Sequence, residues 1–351
     1  MTERTTNILG WLTLVAVLAA IWVLFGEDPT REHGARGEPT FPGLEATINE
    51  AVKAKVWTKD GKGHVTLNKG DAGWTIEERG GYAADDAKVL TFLRGLVTST
   101  RREPKTGSES GLKEVGLGPD APAIEVMGAN DKMLATFKQG KRRAHPDGKS
   151  LTYVIRPDEE RSWLVTDLAE VSADPAFWIE PQVFDIKESR VAEVTLSGVT
   201  LSRGLDATDF SVLTAREDEK PAGAWELREP AHILTALTAT DVRSFEGLEA
   251  APVQTVSLKT YDGLTIMLEL YALDDATWAR PVAFFDPSAR DQGEPGILPD
   301  APEDGAAEAE AIKARVNGWL YRLAEADAKV LLKDRSGFVT ETKVTSSLGQ
   351  S

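Results

Sequence analysis

Two hydrophobic patterns divide the chain. The first is Ile8–Phe25, ILGWLTLVAVLAAIWVLF, 18 residues without a charge. As a helix rising about 1.5 Å per residue it covers roughly 27 Å, enough to cross a bilayer core. Trp11 and Trp22 stand toward its ends, where indole rings favour the headgroup region, and are the expected anchor residues. The run leads into Phe25-Gly26-Glu27-Asp28-Pro29, which offers no small-residue cleavage site, so it reads as an uncleaved anchor. The second pattern begins near Val56 and has period two. Val65-Thr66-Leu67 and Trp74-Thr75-Ile76 flank a turn at 68–73 and predict a hairpin with one buried face. Asp85 or Asp86 then caps a helix with Val89, Leu90, Leu93, Leu96 and Val97 in an apolar stripe. Residues 107–118 read as loop, and strand-like runs return at 123–127, 133–137, 151–155 and 163–165.

Much of this order then recurs. Val194-Thr195-Leu196 and Phe210-Ser211-Val212 read as strands, with Trp225-Glu226-Leu227 in the place of Trp74-Thr75-Ile76. A helix is expected around 232–240, with Ile233, Leu234 and Leu237 facing in, followed by strands at 255–258, 264–270, 278–285 and 318–323. The expected fold class is therefore α+β. A single N-terminal transmembrane helix precedes two similar units of antiparallel sheet, each with a packed helix. In boundaries, residues 1–7 form a short tail, 8–25 the anchor, and 26–43 a linker rich in proline and glycine. Residues 44–183 form the first unit, and 184–335 the second. Within the second, 286–310 is an acidic insert expected to be a solvated loop, and 336–351 is expected to be a flexible tail.

Composition narrows the chemistry. The chain of 351 residues has a formal net charge of −16, which repels nucleic acid and disfavours phosphate-driven binding. Its apolar content of 41% supports a packed core rather than a disordered chain. Cysteine is absent, so disulfides, lipidated cysteines and thiol nucleophiles are excluded. None of the four histidines has a partner at zinc-ligand spacing. There is no G-x-S-x-G elbow, P-loop or dinucleotide fingerprint, and no carboxylate pair stands out. No catalytic, cofactor-binding or metal-binding residue is nominated, and the chain is not read as an enzyme.

One basic cluster interrupts this acidic chain: Lys138, Lys141, Arg142 and Arg143, in KQGKRR, expected in a hairpin turn. It is a candidate contact for an acidic partner or for lipid headgroups. Trp178, in PAFWI, is a second candidate protein contact, expected to be exposed or to lie between the units. Arg4 before the apolar run and Arg31 and Arg36 after it leave the positive-inside rule without a clear vote. An N-terminal signal-anchor commonly exports the chain on its C-terminal side, which favours a body outside the cytoplasm.

Several of these segments resemble the DUF4340 family of membrane-anchored bacterial proteins. They are the N-terminal span, Val65-Thr66-Leu67 with Gly73-Trp74-Thr75-Ile76, and Ala84-Asp85 opening the helix. Val115-Gly116-Leu117-Gly118-Pro119, Leu151-Thr152-Tyr153-Val154 and Trp319-Leu320-Tyr321-Arg322-Leu323 complete the set, with Val115 where the family usually has an aromatic residue. Family members are often encoded beside an ABC-type exporter ATPase, its permease and a gliding-motility-type auxiliary protein. The resemblance thus implies a non-catalytic accessory of an ABC-2-type transport system, single-pass in the bacterial inner membrane, with a periplasmic body. The permease and the auxiliary protein would be its partners. The alternative is a periplasmic envelope binding or scaffold protein unrelated to transport.

Overall fold

A computed structural model describes residues 36–59, 61, 63–144, 150–288 and 300–341. The chain divides into two compact units. The first takes in the described residues up to Glu78 together with Asp86–Trp178, and the second takes Arg79–Asp85 and the residues from Ile179 onward. The expected anchor at 8–25, with Trp11 and Trp22, lies outside the described residues. Among the described residues no helix is long and apolar enough to cross a membrane.

In chain order the first half gives β1 (Lys53–Trp57), β2 (His64–Gly70), β3 (Gly73–Ile76), β4 (Tyr82–Ala83), α1 (Asp86–Thr98), β5 (Arg101–Pro104) and α2 (Glu109–Glu114). Then come β6 (Ala123–Met127), β7 (Met133–Ala144), β8 (Ser150–Ile155) and β9 (Trp163–Thr166). β4 falls in the segment grouped with the second unit. The strands of the first unit stand side by side as β3-β2-β1-β6-β7-β8-β9-β5. Residues in register on one face, Val65, Val56, Ile124 and Phe137, are all at most 1% exposed. In α1 the buried positions are Val89, Phe92, Leu93 and Leu96. Leu90 is half exposed, so the stripe centres on Phe92 rather than on Leu90 and Val97.

Asp86 does more than begin α1. Its carboxylate accepts the backbone N–H of Trp74 at 2.9 Å, tying helix to hairpin. A Cβ on Gly73, whose φ is +127°, would stand 2.6 Å from that carboxylate, so the site admits only glycine. The expected loop at 107–118 contains α2, with Ser108 Oγ accepting the N–H of Gly111 at 3.3 Å as its N-cap. The expected linker is already structured from Gly37. Gly37 N–H donates to Arg101 O at 2.7 Å, Arg101 N–H to Glu38 O at 2.9 Å, and Thr40 N–H to Ser99 O at 2.9 Å. This pairing covers the edge strand β5, which would otherwise expose unpaired backbone groups.

The second unit contains β10 (Val191–Leu196), β11 (Val199–Ser202), β12 (Ser211–Val212), β13 (Glu219–Pro221), α3 (Ala224–Thr235) and β14 (Asp241–Ser244). It continues with β15 (Gln254–Thr260), β16 (Leu264–Leu273), β17 (Ala276–Phe285), α4 (Gly305–Val316), β18 (Trp319–Arg322), α5 (Glu325–Leu331) and β19 (Val339–Glu341). Its main sheet runs β12-β11-β10-β15-β16-β17-β18-β14. Matched strand for strand, this is the order of the first unit, with a helix between the third and fourth strands of each set. The correspondence reaches single residues. Thr66, Lys55, Glu125 and Thr136 lie in register across β2, β1, β6 and β7. Ser202, Glu193, Lys259 and Thr265 occupy the matching row in the second sheet, with the two charges exchanged.

Three expectations for this half are corrected. Trp225-Glu226-Leu227 is the first turn of α3, not a strand, and the counterpart of β3 is β12. Pro230, inside the helix, mimics a boundary and made the helix read as starting later. The acidic insert is not wholly loop: from Gly305 it is helical. Alanine, the best helix former, fills this stretch, and Asp304 caps it by accepting from Ala306 and Ala307 N–H, each at 3.0 Å. The described part of the expected tail is also ordered. Phe338 is fully buried, and β19 pairs with β13.

Candidate interaction surface

The basic cluster lies along β7 rather than in a turn. β7 pairs with β8 through Lys138↔Ile155, Gln139↔Val154, Arg142↔Thr152 and Arg143↔Leu151, with a register shift between Gln139 and Arg142. Gly140 and Lys141 therefore form a bulge opposite Tyr153. The bulge changes which residues share a face. Lys138 and Arg143, five apart, would alternate in a regular strand. Opposite Ile155 and Leu151, they point to the same side. Arg142 turns the other way, where its guanidinium donates to Ser150 Oγ at 3.1 Å and to Leu168 O at 3.4 Å, with Glu170 at 3.6 Å.

The loop Val115–Pro119 holds the bulge in place. Lys141 N–H donates to Val115 O at 2.8 Å, Gln139 N–H to Pro122 O at 3.1 Å, and Leu117 is buried. A Cβ on Gly140 would lie 2.4 Å from Val115 O, so the two backbones meet only because residue 140 is glycine. It is the carbonyl of residue 115 that makes this contact, so valine in place of the family's aromatic residue leaves it intact.

Lys141, Arg142 and Arg143 are exposed and Lys138 is half-buried. Among the described residues no carboxylate lies within ion-pair distance of Lys138, Lys141 or Arg143. Arg36, the first described residue, and Arg143 both act on the Glu103 carboxyl. That carboxyl is held below its ordinary value, first by its hydrogen bond with Lys105 and more weakly by those two arginines. Of these three cations only Lys105 contacts the Glu103 carboxylate.

Of the two placements expected for Trp178, exposure is excluded. The side chain is fully buried, its indole N–H donates to Ser172 O at 2.8 Å, and its ring meets Phe92 edge-on with centroids 5.8 Å apart. Among the described residues the exposed tryptophan is Trp225, 57% exposed on α3 where a strand was expected. Its spacing of seven from His232, with which it makes a ring contact at 6.3 Å, is the helical signal that marks it.

Elsewhere in the second unit, charge is spent on joining elements. Arg190, before β10, donates to Asp262 in the β15–β16 turn at 2.6 Å and to Glu308 of α4 at 2.7 Å. Burial disfavours its charge, but the two carboxylates outweigh burial and raise its pKa. Arg335 clamps Glu219 at 2.7 Å and donates to the carbonyls of Gly198 and Thr214. Tyr321 and Tyr82 meet edge-on with centroids 6.0 Å apart, and burial pushes both hydroxyls up. A cleft of about 610 Å³ opens beside the Glu193–Lys259 pair (3.4 Å), with Ser202, Thr265 and the half-exposed Phe284 in its lining. Among the described residues no group of three or more metal-ligating side chains is gathered.

Fold and surface together define an α+β protein of two units with one strand order, with a basic cluster along β7 of the first. Residues 74–264, more than half of the chain, match the model of the family described as "Domain of unknown function (DUF4340)". The chain belongs to that family. The match begins in β3 and ends in β16, so it draws on both units. Comparison with curated proteins and with solved structures finds no match.

Proposed function

We propose that the chain is a non-catalytic, membrane-anchored accessory component of an ABC-2-type transport system, acting through contacts of an extracytoplasmic body. The observation that carries this reading is the uncharged run Ile8–Phe25 placed just ahead of a large two-unit body. Support comes also from the family resemblance, and from the structural use of the charged groups around Arg190 and Arg335. The test is a mild-detergent pull-down of the tagged full-length protein from its native membrane, beside a chain lacking residues 1–25. Recovery of an ABC ATPase and permease with the full-length chain alone supports the reading. Recovery with neither chain counts against it, and a reporter fusion placing the C-terminal body in the cytoplasm defeats the orientation.

A second reading is an envelope binding or scaffold protein unrelated to transport. The cleft beside Glu193 and Lys259 favours it, because Phe284 offers an apolar wall next to a polar floor. Saturable binding of an envelope component that Phe284→Ala abolishes would bring it forward.

A further inference from the structure

The net charge of −16 is not shared evenly. Among the described residues the first unit holds 18 Lys and Arg against 19 Asp and Glu, and the second holds 16 against 29. The first is therefore close to neutral at −1, while the second carries −13. Whole-chain charge says that the body is repelled by an anionic bilayer. Unit by unit, that repulsion belongs to the second unit.

We infer that the basic face of β7 in the first unit docks on the anionic phospholipid headgroups of the membrane holding the anchor; this rests on the membrane-anchored reading above. Three observations converge. Lys138, Lys141 and Arg143 meet no carboxylate at ion-pair distance among the described residues, and the bulge at Gly140–Lys141 turns Lys138 and Arg143 to one side. Tyr153, half-buried opposite the bulge, adds an amphipathic ring of the kind that settles at headgroup level. The described chain begins at Arg36 beside the edge strand β5, three strands and about 14 Å across the sheet from β7. There Gly37 and Glu38 pair with Arg101. Only residues 26–35 separate Phe25 from Arg36, and ten residues span at most about 35 Å when fully extended. The tether thus bounds how far the first unit can stand from the bilayer, and each Lys or Arg that reaches the surface gains roughly five-fold in partitioning to anionic lipid. A protein partner with an acidic face would meet the same charges, but only the membrane is fixed near them by the chain itself.

The absence of cysteine makes the test direct. Ala144→Cys, on the exposed end of β7, carries a fluorophore in the full-length chain reconstituted into nanodiscs containing a headgroup-region quencher lipid. Discs of phosphatidylcholine alone are compared with discs holding about 30% phosphatidylglycerol, a fraction giving the negative surface potential of an anionic leaflet. Quenching is expected to be several-fold stronger in the anionic discs and to fall in about 0.5 M salt, where the Debye length is only a few ångströms. It is expected to fall likewise in K138E/K141E/R143E and, less steeply, in the milder K141Q/R143Q. Equal quenching in both discs, or quenching that survives either set of substitutions, overturns the docking. A lipid-independent signal that appears only when an acidic partner protein is added assigns the face to protein instead. If the chain fails to enter discs at all, the membrane-anchored reading itself falls, a result distinct from entry without lipid dependence.

Discussion

The backbone N–H of Lys141 donates to the carbonyl of Val115 at 2.8 Å, joining the glycine-flanked loop after α2 to the bulge of β7. Two segments that looked unrelated along the chain are therefore one device. The loop shapes the bulge, and the bulge aims the basic side chains.

Substituting Gly140 tests the device. In Gly140→Ala the new methyl would stand 2.4 Å from Val115 O, so backbone must shift. A loss of about 1–3 kcal/mol in urea unfolding is expected, as for other overpacked sites. The substitution should also weaken the lipid-dependent quenching, although no charge has been removed.

Trp178 and Trp225 give a paired test. Trp178→Ala removes a fully buried ring and is expected to cost about 3–5 kcal/mol. Trp225→Ala, at an exposed position of α3, is expected to stay within about 0.5 kcal/mol of the parent. Comparable losses in the two unfolding curves would contradict the structure.

Arg190→Met leaves the Asp262 and Glu308 carboxylates facing each other without their cation. The guanidinium side chain is 4% exposed and Asp262 is 9% exposed, so the loss is expected at about 3 kcal/mol. Restoring packing without charge, in R190M/D262L/E308L, should recover most of it. No recovery would mean that the triad fixes geometry rather than merely cancelling charge.

The Arg335–Glu219 pair sets an acid dependence. The hydrogen bond from Arg335 is the main reason that the Glu219 carboxyl is lowered from 4.5 to about 2. A lowered pKa means that the unfolded chain binds the proton first. The contribution is thus complete above pH 4.5 and is lost as pH falls through about 2. Arg335→Gln is expected to reduce stability at neutral pH and to flatten this part of the curve. An unchanged slope of the urea midpoint between those limits would remove the pair from the account.

Much of the fold was legible in the sequence because its signals are local. Period-two alternation located most of the core strands, and an apolar stripe located α1, since one buried face leaves its mark on neighbouring residues. The recurrence of that order predicted two similar units, and both sheets have the same strand order. Local signals failed where a distant partner decided. Trp225 has the same apolar character in strand or helix, and Pro230 pointed to the wrong boundary. Helix α4 was hidden by its acidic surroundings. KQGKRR announced itself by composition, but no spacing rule could reveal that a bulge turns Lys138 and Arg143 together and Arg142 away. That outcome depends on a carbonyl at Val115, more than twenty residues earlier, meeting a glycine that has no side chain to keep it out. The sequence by itself determined the charges, the apolar run and the strand periodicity, because these are properties of neighbours. The tertiary structure decided which charges are paired, which are spent on holding elements together and which are left facing outward, because pairing depends on distances that only folding creates.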